Sequence, residues 1–188
     1  MSLVDRVKGI LLSPKEEWPK IEPETATVPS LYTGYILILA ALGPVALLIH
    51  SLSLGIVGAI VMYVVALGAT YVMALIVDLL APTFGGEKNF IQSLKLTAYS
   101  YTAVWVAGIL HLIGAIGGII GLLAALYSLY TLYLGISVMK KCPADKAVPY
   151  TLVVVVCGLV LGAVVGSLVM STLFGGMAMT GGAMRLYQ

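Results

Sequence analysis

The chain has 188 residues, of which 61% are hydrophobic and only 10% carry a charge, and its ten Lys/Arg and eight Asp/Glu residues leave a net charge of +2. A soluble domain of this length has roughly a quarter of its residues charged, so the polar surface is too small for a water-soluble globule. The weak, dispersed positive charge also argues against nucleic-acid binding. The composition predicts an all-α polytopic membrane protein with membrane lipid as its main partner.

The segment 1–29 is predicted to be a cytoplasmic amphipathic segment followed by a linker. Apolar residues of the stretch 3–12 fall on one helical face, which suits a helix that lies in the headgroup region. In the next stretch, SPKEEWPKIEPE, Ser13 and Glu16 have the spacing of a capping box around a helix that starts at a proline. The later prolines predict an extended linker. The segment is either an anchor that orients the first span or a docking surface for a cytoplasmic protein partner.

Long uncharged runs predict a bundle of five transmembrane helices within 30–174, because a bilayer core takes about 20 helical residues. Two runs are long enough for two crossings each and divide at HSLSLG and at GAIGGIIG, where polar residues or adjacent glycines favour a turn. Gly43 and Pro44 predict a kink inside helix one. A Gly/Met-rich extracytoplasmic tail is expected at 175–188. The predicted helices are 31–49, 54–80, 92–113, 118–139 and 148–173.

Lysine and arginine residues alternate between the predicted connecting segments. All of them except Arg185 lie before helix one, between helices two and three, or between helices four and five. The positive-inside rule then places the N-terminus in the cytoplasm and the C-terminus outside, in the inner or plasma membrane of the cell. The predicted anchors at the membrane–water interface are Trp18, Lys20, Lys140 and Lys141.

Asp78 is the strongest candidate for a functional residue, because an ionisable group in a membrane helix is a functional hypothesis by default. Its position, about 36 Å along helix two at ~1.5 Å per residue, equally suits the cytoplasmic rim. His50 and His111 end helices one and three on the outer side, where a weak metal or proton site is the functional alternative to two polar end residues. The spacing of the two cysteines matches no metal motif, and no metal site is predicted.

Tyrosines of helices three and four predict polar contacts inside the bundle. Tyr99 and Tyr101 are the candidates in helix three, and Tyr127, Tyr130 and Tyr133 share a broad face of helix four. Their hydroxyl groups either find partners in a packed interior or line a polar cavity. Because no Ser/His/Asp set, phosphate loop or carboxylate pair falls inside the spans, no catalytic residue, cofactor or enzyme activity is predicted.

Glycine spacing in helix five predicts a close contact between helices. Gly158, Gly162 and Gly166 form two overlapping G-x-x-x-G steps, which allow another helix to approach closely. The approaching helix belongs either to the same bundle or to a second copy of the chain in a homo-oligomer.

Three stretches carry the features of a known family: AYSYTAVWVAGIL, the N-terminal LLSPKEEWPKI, and LLAALYSLYTLYLGISVMKKCPADKAVPYTLVVVVCGLVLG. Within the last, Tyr133, Leu134 and Gly135 precede a short basic loop that contains Pro143. With these stretches the chain resembles the Yip family, membrane proteins named for binding Ypt/Rab GTPases, in its prokaryotic branch. The resemblance implies five helices and a cytoplasmic N-terminus. The chain lacks the Asp-Leu-Tyr-Gly-Pro motif of eukaryotic members, so a GTPase-binding role is not carried over.

Two functions follow from these patterns. The glycine groove, the amphipathic cytoplasmic segment and the lack of catalytic sets favour a non-enzymatic membrane scaffold or adaptor. The alternative is a channel or transporter for a small solute, ion or lipid, which Asp78 and the polar residues of helices three and four would serve. The two hypotheses differ in whether the bundle is packed or holds a polar cavity that reaches Asp78.

Overall fold

The computed structural model describes residues 2–50, 55–113 and 115–185, with side chains up to Met170 apart from those at positions 50, 55, 111, 115 and 168. These residues form helices and no strands. The all-helical prediction is therefore confirmed for the described part of the chain. The side chains of His50 and His111 fall outside it.

Two short helices, α1 (Leu3–Leu12) and α2 (Pro14–Ile21), form an N-terminal hairpin. As predicted, α2 begins at Pro14. The side chain of Ser13 makes no capping hydrogen bond, so the predicted capping box does not form; its carbonyl instead accepts from the amides of Glu16 and Glu17, each at 3.1 Å. Helix α2 continues through Pro19 to Ile21, so Pro19 does not end the helix as predicted and the extended linker is shorter than expected.

The first long helical stretch is built from consecutive short pieces. It comprises α3 (Val28–Leu31), a π-helical turn (Tyr32–Ile36), α4 (Leu37–Ala40) and α5 (Leu42–His50). The break between α4 and α5 agrees with the predicted kink, since Pro44 has no amide to donate to the carbonyl of Ala40. The remaining elements are α6 (Gly55–Leu80), a 3₁₀ turn (Ala81–Phe84), α7 (Phe90–Ser100), α8 (Thr102–Ala107), a 3₁₀ turn (Gly108–Ile113), α9 (Ala115–Met139) and α10 (Ala144–Arg185).

Among the described residues, four helical stretches are long and apolar enough to cross a membrane: Val28–Ile49, Ile56–Phe84, Ile116–Met139 and Ala144–Ser167. They correspond to predicted helices one, two, four and five. Helix α10 starts before the predicted residue 148 and runs past 173 to Arg185, so the helical backbone continues into the segment expected to be a tail.

Predicted helix three, 92–113, is interrupted, which is why it is not a fifth continuous span. The chain bends at Tyr101, where Thr102 Oγ1 donates to the Tyr99 carbonyl at 2.6 Å. Farther on, the backbone tightens into the 3₁₀ turn where Gly108 meets Gly43. A Cβ on Gly108 would lie 3.0 Å from the Gly43 Cα, so these two glycines let α5 and the turn pack backbone to backbone.

A single apolar core joins the N-terminal hairpin to the long helices. Its fully buried side chains include Trp18, Leu96, Ile136 and Tyr150, which come from α2, α7, α9 and α10. Large apolar side chains on the outer faces are exposed, for example Leu122 at 64%. This distribution, apolar inside and outside, suits a protein surrounded by lipid tails.

Candidate functional site

Trp18 fixes the hairpin to the bundle. Its side chain is 0% exposed, and its indole Nε1 donates to the carbonyl of Thr131 at 3.1 Å. Gly135 provides the space, since a Cβ there would lie 2.6 Å from Trp18 Cε2 and 2.5 Å from Leu96 Cδ1. Trp18, expected at the membrane–water interface, is therefore a packed residue between α7 and α9.

Arg6 lies at the centre of a buried charged group that we call the Arg6 cluster: Arg6, Glu17, Glu24, Lys95 and Tyr99. The Arg6 side chain is buried, with Nη1 donating to Glu17 Oε1 at 2.6 Å and Nη2 donating to Glu24 Oε1. Its guanidinium also stands 5.6 Å from the centre of the Tyr99 ring, a cation–π distance. These contacts tie α1, α2 and the linker to α7.

Lys95 holds the end of α2 in the same cluster. The side chain is 1% exposed, and its ammonium donates to the carbonyl of Ile21 at 3.0 Å and to that of Glu24. A cation at the carbonyl end of a helix is favourable because that end carries partial negative charge. A lysine near the start of a membrane helix usually keeps its ammonium in water, whereas the structure buries Lys95 against backbone carbonyls.

Tyr99, a predicted site residue, lies in the cluster, and Tyr101 does not. The Tyr99 ring meets Tyr35 edge to face at 4.7 Å. Thr102 gives its proton to the Tyr99 carbonyl, so the 2.6 Å contact between Tyr35 and Thr102 is a bond that the Tyr35 hydroxyl donates. The Tyr99 hydroxyl has no hydrogen-bond partner within the described part of the chain. Tyr101 is half-buried and stacks edge to face on Trp105.

A cavity of about 610 Å³ opens beside the Arg6 cluster. It lies between the start of α1, the linker, the first turns of the first span and α7. Its polar wall is formed by Ser2, Arg6, Glu24, Thr25, Ser30, Tyr35, Lys95 and Tyr99. The sequence left open a polar cavity that reaches Asp78; of the predicted site residues, Tyr99 lines this cavity and Asp78 does not.

Asp78 forms a buried ion pair with Lys140, which we call the Asp78 pair. Lys140 Nζ lies 2.9 Å from Asp78 Oδ1 and also donates to Ser93 Oγ at 2.7 Å and to the Asn89 carbonyl at 3.0 Å. The same Asp78 oxygen accepts from the Asn89 amide at 2.8 Å. Burial lowers the pKa of Lys140, and the hydrogen bond with Asp78 acts in the opposite direction. The pair joins the end of α6 to the start of α7 and the end of α9.

The adjacent Lys141 makes a contrasting ion pair. Its side chain is 57% exposed and lies 3.1 Å from Glu87, which is also exposed. That hydrogen bond raises the pKa of Lys141. Of the two predicted anchors at the end of helix four, only Lys141 is on the surface. The third lysine anchor, Lys20, is exposed and pairs with Glu17 at 3.2 Å.

Of the three glycines predicted to form a close contact between helices, only Gly158 has a neighbouring side chain among the described residues. A Cβ on Gly158 would lie 3.5 Å from Met73 Cε, while Cβ atoms on Gly162 and Gly166 would meet nothing within 4 Å. Within the tyrosine face of helix four, Tyr127 donates to the carbonyl of Leu11 at 2.9 Å, and the other two tyrosines are exposed.

The sequence patterns did not identify Arg6, Glu17 or Glu24 as a site. The available signal was the dense, nearly balanced charge around SPKEEWPKIEPE, since so many charges in an apolar chain favour mutual pairing. In the described residues, no group of three or more His, Cys, Asp or Glu side chains is placed to hold a metal ion.

The long apolar helices, with a buried core and exposed apolar outer faces, define a multi-pass helical membrane protein. The sequence model of the Yip1 domain family matches residues 8–166, which cover most of the hairpin and nearly all of the four candidate spans. The chain belongs to the Yip1 domain family, a family of membrane proteins not known for enzymatic activity. The resemblance seen in the sequence is thus confirmed. No curated protein matches the chain. No solved structure matches it.

Proposed function

We propose that this protein is a non-enzymatic scaffold or adaptor that displays its N-terminal hairpin on the cytoplasmic side of the inner or plasma membrane. The observation that carries the proposal is the way α2 is held. An isolated helix of eight residues is unstable in water, yet α2 is fastened by Trp18, by the Glu17 carboxylate and by Lys95 at its end. A short helix fixed in this way can present a constant surface to a partner.

The outward face of α2 is polar and carries both positively and negatively charged side chains. Lys15, Glu16 and Lys20 are exposed, while Glu17 and Trp18 on the opposite face are buried. A rigid surface with mixed charges fits a protein partner, because paired charges give specificity and fix the register of two surfaces. The anchor role and the docking role are then compatible: the buried face anchors and the exposed face binds.

The interior contacts favour the scaffold over the channel or transporter alternative. Asp78 already pairs with Lys140, and two threonine hydroxyl groups of the helices donate to the backbone: Thr70 to Ala66 and Thr131 to Tyr127, at 2.8 and 2.9 Å. The buried hydroxyls of Ser100 and Ser128 have no hydrogen-bond partner among the described residues, but neither residue lines the cavity beside the Arg6 cluster. A solute pathway would need such groups free to replace water around the solute.

The topology proposed here has five crossings. The proposed third crossing consists of α7, α8 and the 3₁₀ turn that ends at Ile113. With the N-terminus in the cytoplasm, the Arg6 cluster and the Asp78 pair lie at the cytoplasmic end, and the C-terminus lies outside. A second copy of the chain is the partner proposed for Gly162 and Gly166, whose surfaces are open in the single chain.

Photocrosslinking in native membranes tests the scaffold role. A photoreactive amino acid at Glu16, on the exposed face of α2, is expected to capture another protein or a second copy of this chain. The same group at Leu122, on the exposed apolar face of α9, is the matched control and is expected to capture mainly lipid. A Glu16 probe that yields only monomer, together with solute flux through reconstituted protein, would refute the proposal.

A further inference from the structure

We propose that the cavity beside the Arg6 cluster binds the headgroup of a phospholipid that carries a phosphate and a primary ammonium. This inference goes beyond the scaffold role and needs no protein partner. The cavity, about 610 Å³, falls within the roughly 300–1,000 Å³ of ligand pockets. It is therefore large enough for a headgroup and its glycerol.

The position of the cavity matches the depth of headgroups. Part of its wall comes from Ser30, Leu31, Gly34 and Tyr35, which form the first two turns of the span Val28–Ile49. Residues at the start of a membrane helix lie in the interfacial layer, which adds about 5–8 Å on each side of the hydrocarbon core. A lipid of the same leaflet can reach this layer by lateral diffusion.

The donors in the wall suit a phosphate. Arg6 is 5% exposed and uses two guanidinium N–H groups on Glu17 and Glu24, which leaves about three of its five donors. The Tyr99 hydroxyl, which has no partner among the described residues, is a further donor in a residue that is more than nine-tenths buried. Lys95 adds positive charge without forming an ion pair in the described structure. The three N–H groups of Lys95 are already used by the carbonyls of Ile21, Glu22 and Glu24, so Arg6 and Tyr99 are the groups that would donate to the phosphate oxygens.

The acidic residues explain why a zwitterionic headgroup fits better than an anionic one. Within the cluster, the positive charges of Arg6 and Lys95 are balanced by Glu17 and Glu24. A phosphate alone would make this site negative, whereas a phosphate with an ammonium leaves it neutral. The side chain of Glu24 is 41% exposed and accepts from Arg6 through Oε1, so Oε2 is available to accept from the ammonium.

Lipid binding by the purified full chain tests the proposal. Delipidated protein in detergent is titrated with phosphatidylethanolamine, phosphatidylglycerol or phosphatidylcholine, and bound lipid is counted by native mass spectrometry. Phosphatidylethanolamine is expected to bind best, since the trimethylammonium of phosphatidylcholine donates no N–H and phosphatidylglycerol has no cation. Free phosphoethanolamine is a parallel arm that separates a lipid from a soluble ligand of the same chemistry, and it is expected to bind more weakly.

Two variants with matched controls locate the site. Tyr99→Phe removes the free hydroxyl and is expected to weaken binding about tenfold, the effect of one hydrogen bond to a charged group. Tyr101→Phe removes the hydroxyl of a neighbouring tyrosine that does not line the cavity and is expected to leave affinity unchanged. Glu24→Gln is expected to abolish the preference for phosphatidylethanolamine over phosphatidylcholine, and Glu87→Gln, an exposed carboxylate elsewhere, is not.

Thermal melting confirms that each variant is folded before its affinity is compared. Three results would overturn the proposal: equal binding of the three lipids by the unaltered chain, a loss in Tyr101→Phe as large as in Tyr99→Phe, or free phosphoethanolamine binding as tightly as the lipid. None of them bears on whether Glu16 captures a protein partner, so this inference and the scaffold role fail separately.

Discussion

The contact between Gly135 and Trp18 makes Gly135→Ala the most demanding test of how the hairpin is held. The added Cβ would stand 2.5 Å from Leu96 Cδ1 and 2.6 and 2.8 Å from two carbons of the Trp18 ring. Non-bonded carbon atoms pack at separations of about 3.5 Å or more, so the indole of Trp18 must move by about 1 Å or leave its position between α7 and α9. The Trp18 ring is held in place because its Nε1 is bonded to Thr131, and Leu96 is 0% exposed, so neither side chain can move outward into open space.

The cost can be estimated from these contacts. Overpacking a core position costs about 1–3 kcal/mol, and losing the hydrogen bond of Trp18 adds about 1 kcal/mol. We therefore expect Gly135→Ala to destabilise the protein by roughly 2–4 kcal/mol, which combines these two ranges. The hairpin should loosen before the long helices do, since Trp18 is its largest fully buried side chain.

The assay combines thermal melting with tryptophan emission in a Trp105→Phe background, where Trp18 is the reporter. Gly135→Ala should shift the emission of Trp18 to longer wavelength and lower the melting temperature. Gly121→Ala, on the same helix but with nothing within 4 Å of the added Cβ, is the control and should do neither. If the two variants have the same melting temperature and the same emission wavelength, the close packing of Trp18 against Gly135 is wrong.

Two further predictions concern the loop after α9. Lys140→Met leaves the Asp78 carboxylate buried without a cation and should destabilise the protein by about 3–5 kcal/mol. Lys141→Met removes an exposed pair and should change the melting temperature far less; equal melting temperatures for the two variants would contradict the assigned burial. Burial raises the pKa of the Cys142 thiol, so in a Cys157→Ser background folded protein should react with maleimide much more slowly than denatured protein. Because the folded form holds this proton more tightly, stability should fall as pH rises above the unfolded pKa of the thiol; equal labelling rates for the two forms would contradict the buried position.

Local patterns in the sequence predicted the membrane class, most spans and several helix boundaries. The uncharged runs and the charge distribution along the chain are local properties, and the fixed φ of Pro14 alone favours the start of α2. The kink near Pro44 follows from its missing amide in the same way. These features depend on neighbouring residues only, which is why a single chain was enough to predict them.

The contacts that build the candidate site were not predictable in the same way, because they join distant parts of the chain. Arg6 and Trp18 meet partners on α7 and α9, and no local pattern specifies which carbonyl or carboxylate receives them. The break in the third predicted span likewise depends on Gly108 meeting Gly43 across the bundle. The carbonyls that surround the Lys95 ammonium come from the end of α2 and the linker, more than 70 residues earlier in the chain.

Hydrogen exchange of α2 in the membrane-embedded protein tests the central claim most directly. If Pro14–Ile21 is fastened to the bundle as described, its amides should exchange slowly, at rates comparable with those of α9, since opening α2 would require breaking the buried contacts of Trp18 and Lys95. Exchange as fast as that of an unstructured peptide of the same sequence, with α9 still protected, would contradict the account of a rigidly displayed hairpin.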